Sequence, residues 1–85
     1  MPIRITKEIE GGDTILRVDG RLHGENGAEL ERACESIKGR LTLELSGLLS
    51  ADTDGLQKLR HLESQGVRLS GASPYIQLLL QKRSA

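Results

Sequence analysis

The sequence predicts an α/β domain with element order ββαβαβα. Three patterns carry this expectation: period-two apolar alternation near the N-terminus and again at Leu41, Leu43 and Leu45; three later segments with apolar residues at helical spacing; and Gly, Asp or Pro at the boundaries between them. Strands separated by helices tend to run parallel with right-handed crossovers. The 85 residues are expected to form one domain, with a polar tail at about 81–85.

Ile3, Ile5 and Ile9 alternate with polar residues up to Gly11-Gly12-Asp13. Ile15, Leu16 and Val18 then run to Gly20, which reads as an edge-type hairpin. From Glu25 to Lys38, Leu30, Ala33, Cys34 and Ile37 share a helical face, and Gly39 is placed as the C-cap. Leu41, Leu43 and Leu45 read as a central strand that leaves the sheet at Ser46-Gly47, ahead of Leu48, Leu49 and a loop of small polar residues. Asp52, Thr53 and Asp54 are competent N-caps for a helix carrying Leu56, Leu59 and Leu62 and ending at Gly66. Val67 and Leu69 make a short strand and Gly71 to Ser73 a turn. Pro74 then opens a last helix with Ile76, Leu79 and Leu80.

Composition narrows the function. Twelve basic and twelve acidic side chains cancel, so no summed field favours nucleic acid or an anionic membrane surface. No apolar segment approaches the roughly 20 residues needed to cross a bilayer, and no leader pattern opens the chain, so a cytoplasmic protein is expected. Phe and Trp are absent and Tyr75 is the single aromatic, leaving the core to aliphatic residues. One cysteine, Cys34, excludes an internal disulfide framework and fits a reducing compartment.

The inventory for catalysis is thin. His23 and His61 lie far apart without a carboxylate or cysteine at ligand spacing, Cys34 sits on an apolar helix face, and no Gly-rich phosphate loop is present. No enzyme activity, cofactor or metal site is expected. The Asp52-Thr53-Asp54-Gly55 turn is different, because it sets a hydroxyl at a helix N-terminus beyond the C-terminal end of a central strand. A phosphoryl group on Thr53 would bring about −1.5 to −2 charges beside two carboxylates, partly offset by the helix dipole. The same four residues also make a good helix cap with no regulatory role, and both readings stand on the residues alone. Anion or nucleotide binding at this helix N-terminus is a further alternative, though no basic residue adjoins Thr53 in sequence.

Leu43-Glu44-Leu45-Ser46-Gly47-Leu48, then Asp52-Thr53-Asp54-Gly55-Leu56, then Gly66 to Pro74 occur in an order that resembles the STAS domain of sulphate transporters and anti-sigma factor antagonists. Val18-Asp19-Gly20-Arg21-Leu22 is similar to the end of that family's second strand, so the resemblance spans residues from about 14 to about 80. It implies a four- to five-stranded mixed sheet with helices packed mainly on one side. It also implies partner switching: a bacterial antagonist binds an anti-sigma factor that is also its serine kinase, and phosphorylation breaks the pair.

By position, the resemblance makes Thr53 the phosphoacceptor, with Asp52, Thr53, Asp54, Gly55, Leu56 and Leu59 as the docking face. Asp54 stands where many members carry Ser, Ala or Gly. The chain stops soon after Leu80, before the longer final helix of typical antagonists, which implies a bare apolar edge open to self-association, with a homodimer as one outcome. A second implied role is the cytoplasmic accessory subunit of an ABC-type lipid transporter, docking on its ATPase through the same turn.

Overall fold

The computed structural model describes residues 3–81. The opening alternation becomes a hairpin of β1 (Arg4–Glu10) and β2 (Asp13–Leu22), antiparallel and in register from Arg4 opposite Asp19 to Glu10 opposite Asp13. β1 is an edge and β2 is the centre of the sheet. The first half of β2 pairs in parallel with β3 (Arg40–Glu44), which in turn pairs with β5 (Arg68–Ser70). The second half pairs with β4 (Leu48–Ala51). Helices α1 (Gly24–Glu35), α2 (Thr53–Ser64) and α3 (Pro74–Gln81) complete the order ββαββαβα.

The added strand corrects the expected loop after Leu45. The chain does leave β3 at Ser46-Gly47, but Gly47 offers its carbonyl to the Gly20 N–H (3.0 Å), and Leu48 falls opposite Gly20. β4 therefore takes over β2's free C-terminal half. A register shift at Gly20/Arg21 leaves Leu49 66 % exposed between its paired neighbours.

Residues of one sheet face form the core: Leu16, Val18 and Leu22 from β2, Leu41 and Leu43 from β3, and Leu48 from β4. Against them pack Leu30 and Cys34 of α1, Leu59 and Leu62 of α2, and Ile76 of α3. All three helices thus cover the same face. The other face carries Arg4, Thr6, Glu8, Arg17, Arg40, Thr42 and Arg68 at half-buried or exposed positions, the polar alternation expected of a sheet solvated on one side.

The first helix stops earlier than its periodicity suggests. Its C-cap is Ser36, whose hydroxyl donates to the Ala33 carbonyl (2.8 Å), and the Ile37 N–H closes a tight turn on Cys34 (3.1 Å). Ile37 folds half-buried against the core, and Gly39, at φ +97°, leads into β3 and is not the helix cap. The second helix ends as predicted. Gly66 adopts φ +103°, its N–H donates to Glu63 and that of Val67 to Leu62, the paired bonds of a Schellman motif. At the last helix the Ser73 hydroxyl accepts from the Ile76 N–H (3.2 Å), while the Arg60 guanidinium donates to the Leu79 and Leu80 carbonyls (2.8 and 3.3 Å). A cation so placed also favours the negative end of the helix dipole.

Candidate functional site

Two parallel strands that end side by side deliver two helix N-termini to one place. β2 ends at Leu22 and passes through His23 into α1; β4 ends at Ala51 and passes through Asp52 into α2. The ladder extends one residue further, with the Asp52 N–H donating to the Leu22 carbonyl (3.0 Å). Asp52 is therefore fixed before its side chain acts.

That side chain holds both helices. One carboxylate oxygen accepts from the Gly55 N–H (2.7 Å), capping α2, and the other accepts from the Gly24 N–H at the first residue of α1 (3.0 Å). The two amide bonds, Gly55's first and Gly24's second, keep the Asp52 carboxyl below its usual range, with a smaller contribution from the nearby His23. Asn26 braces the entry to α1: its side-chain oxygen accepts from the His23 N–H (2.9 Å) and its amide donates to the Arg21 carbonyl (3.0 Å).

Gly55 is buried where α2 meets β2. A Cβ there would run into the Leu22 carbonyl oxygen and the Leu22 side chain, so this close approach admits glycine only. Gly27, also buried, lets the Lys58 stem lie on α1, and the Lys58 ammonium reaches Glu31 at 2.6 Å, linking the helices one turn further along.

The predicted docking residues accordingly divide. Asp52, Thr53 and Asp54 are exposed and Leu56 is half-buried, whereas Gly55 is buried and Leu59 is 0 % exposed in the core. Leu59 is thus corrected from a surface residue to a core one. Helical spacing put it on the same face as Leu62, and that face is the one that packs on the sheet. Thr53 occupies the first position of α2, and its hydroxyl makes no hydrogen bond among the described residues. The groove beside it is lined by His23, Glu25, Glu29, Arg32, Asp52 and Asp54. The α1 entry is the part of this site that motif reading passed over. Its one local signal is an Asn three residues after the cap position His23, a variant of the capping box.

Other candidates do not converge. His23 and His61 are both exposed, and no group of three or more His, Cys, Asp or Glu side chains among the described residues is arranged to hold a metal. Burial, with Glu31 and Glu35 adding to it, pushes the Cys34 thiol up to about 11, so it is protonated and unreactive at neutral pH. No helix among the described residues is long and apolar enough to cross a membrane.

No family model and no curated protein matches this sequence. Solved structures do match. An anti-sigma-factor antagonist STAS domain from Rhodobacter sphaeroides superposes with a TM-score of 0.67 at 23 % identity, covering 86 % of this chain and 94 % of that one. This chain has the STAS fold. A crystal structure of Mglu superposes with a TM-score of 0.64 at 21 % identity over 81 % of this chain, but over 19 % of its own length. On the STAS fold the Asp52 turn lies at the C-terminal edge of the parallel strands, where open α/β sheets place their ligands and partners.

Proposed function

We propose that this chain is a non-enzymatic, cytoplasmic regulatory module that docks through the exposed edge of the Asp52–Leu56 turn on a protein partner of the anti-sigma-factor kinase type. The observation that carries the reading is the division of labour at the turn. Asp52 is committed to two backbone amides, while the adjoining Thr53 hydroxyl is exposed and unbonded. A hydroxyl held rigidly at the start of a helix, beyond a sheet edge, suits presentation to a kinase.

Phosphorylation would put a dianion beside Asp52 and Asp54 without disturbing the core, because Thr53 contributes nothing to it. The partner would meet altered charge on an unaltered scaffold. In this reading Thr53→Glu weakens partner binding at least tenfold, and incubation with the cognate kinase and ATP adds one phosphate to Thr53. A Thr53→Glu variant that binds as tightly as the parent, together with an unmodified Thr53, overturns the switch.

Asp54 favours a second reading. Its exposed carboxylate already supplies negative charge one residue from Thr53, so the same face can dock constitutively, as on the ATPase subunit of a lipid transporter. Co-purification with an ATPase irrespective of the Thr53 side chain distinguishes this reading from the first. Self-association belongs to the same proposal. Tyr75 and Leu78, three residues apart on α3, are 56 % and 65 % exposed, and sedimentation of the full chain tests for a dimer.

A further inference from the structure

The uncovered sheet face carries a second polar feature, at the opposite end of the parallel strands from the Asp52 turn. β3 and β5 pair with Thr42 opposite Arg68, and Arg40 lies two residues before Thr42 on the same strand. Residues two apart share a face, so Arg40, Thr42 and Arg68 project together from adjacent strands. With strands about 4.8 Å apart and two residues spanning about 6.6 Å, the two arginine Cα atoms are separated by about 8 Å, well within the joint reach of two guanidinium groups. They line a cleft of about 420 Å³ with Asp13 and the Gly66 backbone.

Among the described residues neither the Arg40 nor the Arg68 guanidinium makes a hydrogen bond or ion pair. The charged groups nearby are few. Asp13 lies opposite Arg40 on β2, with Glu10 beyond it on β1, and Glu44 follows Thr42 on the same face. Glu44 is already engaged: it accepts from the Ser46 N–H (2.7 Å), and the Ser46 and Ser70 hydroxyls and Arg17 also hold it in the charged form. Asp13, the carboxylate that lines the cleft itself, and the exposed Glu10 beyond it remain to balance the two cations.

From this placement we infer that the Arg40–Thr42–Arg68 cleft binds a phosphoryl dianion. Two planar guanidinium forks match the oxygens of such a group, and the Thr42 hydroxyl offers a third donor between them. The competing account is that Arg40 simply neutralises Asp13 across the strand pair and Arg68 is solvated. The two accounts differ in what the parent cleft does: in the first it binds phosphate saturably through both arginines, with Asp13 as a competitor; in the second it does not bind phosphate, and loss of either arginine changes nothing.

The test is a heteronuclear NMR titration of the full chain with inorganic phosphate at constant ionic strength, repeated with glycerol phosphate, and with chloride as control. The inference predicts saturable shifts centred on residues 40–42 and 66–68. It also predicts at least tenfold weaker binding in both Arg40→Ala and Arg68→Ala, and binding tightened severalfold in Asp13→Asn. Preference for the ester assigns the cleft to a phosphomonoester, and equal or weaker binding of the ester assigns it to free phosphate. Because Asp13→Asn is a gain-of-binding variant, loss of folding cannot imitate its result. Shifts centred on Gly24 and residues 53–55, shifts no larger than those with chloride, or an affinity unchanged in both arginine variants would overturn the inference.

Discussion

The two sides of the Asp52–Leu56 turn are built on opposite terms. Facing inward, the Asp52 carboxylate holds two helix N-termini and Gly55 touches the backbone of β2; facing outward, Thr53 and Asp54 are exposed. The inward side fixes position, and the outward side is free to change chemistry without changing the fold. A surface used for regulated docking benefits from both, since charge can be added to a scaffold that does not yield.

This contrast predicts a graded set of responses. The largest is at Leu59, which lies wholly in the core: Leu59→Ala should cost about 2–5 kcal/mol in chemical denaturation, as for other buried leucines, and should reduce docking only through loss of folded protein. Gly55→Ala comes next. Its new methyl meets the Leu22 carbonyl, so a loss of about 1–3 kcal/mol is expected, with amide shifts spreading into β2. A fall of less than 0.5 kcal/mol would show that α2 is less tightly seated than described.

Lys58→Met removes the partly exposed pair with Glu31 and should cost no more than about 1 kcal/mol, an effect that shrinks as salt is added. Asp52 is best examined through pH. Because its carboxyl is held below the usual range in the folded state, its charged form contributes stability above the unfolded value near 3.8, and that contribution is lost as pH falls toward the folded value. Urea midpoints measured between neutral pH and pH 3 should therefore fall more steeply in the parent than in Asp52→Asn. Parallel curves would mean that the carboxylate does not hold the two helices. The smallest stability effect belongs to Thr53→Ala, within about 0.5 kcal/mol of the parent.

Much of this arrangement was legible from residue order. Alternation at 41–45, the helical spacing after Asp52, Gly66 as a helix terminator and Pro74 as a helix start all describe local choices, and the structure keeps them. Apart from the early end of α1, which Ser36 sets locally, the failures depend on contacts distant in sequence. β4 exists because β2 is long enough to offer its C-terminal half to a second strand, and Gly47 can turn back toward Gly20. Leu59 was assigned to the docking face by nearness to the motif, yet the sheet lies on its side of the helix. Asp52's bond to Gly24 crosses 28 residues and joins two helices that no local pattern connects. His23 matters here for its backbone position at the start of α1.

The most direct test of the docking account is photo-crosslinking in the native host, with a photoreactive residue introduced at position 53 in one version and at position 6, on the uncovered sheet face, in another. Both sites are exposed, so neither substitution burdens the core. The account predicts a discrete protein adduct from position 53, identifiable by mass spectrometry as a kinase-type anti-sigma factor or a transporter ATPase, and none from position 6. Equal crosslinking from the two positions, or an adduct from position 6 alone, would contradict it.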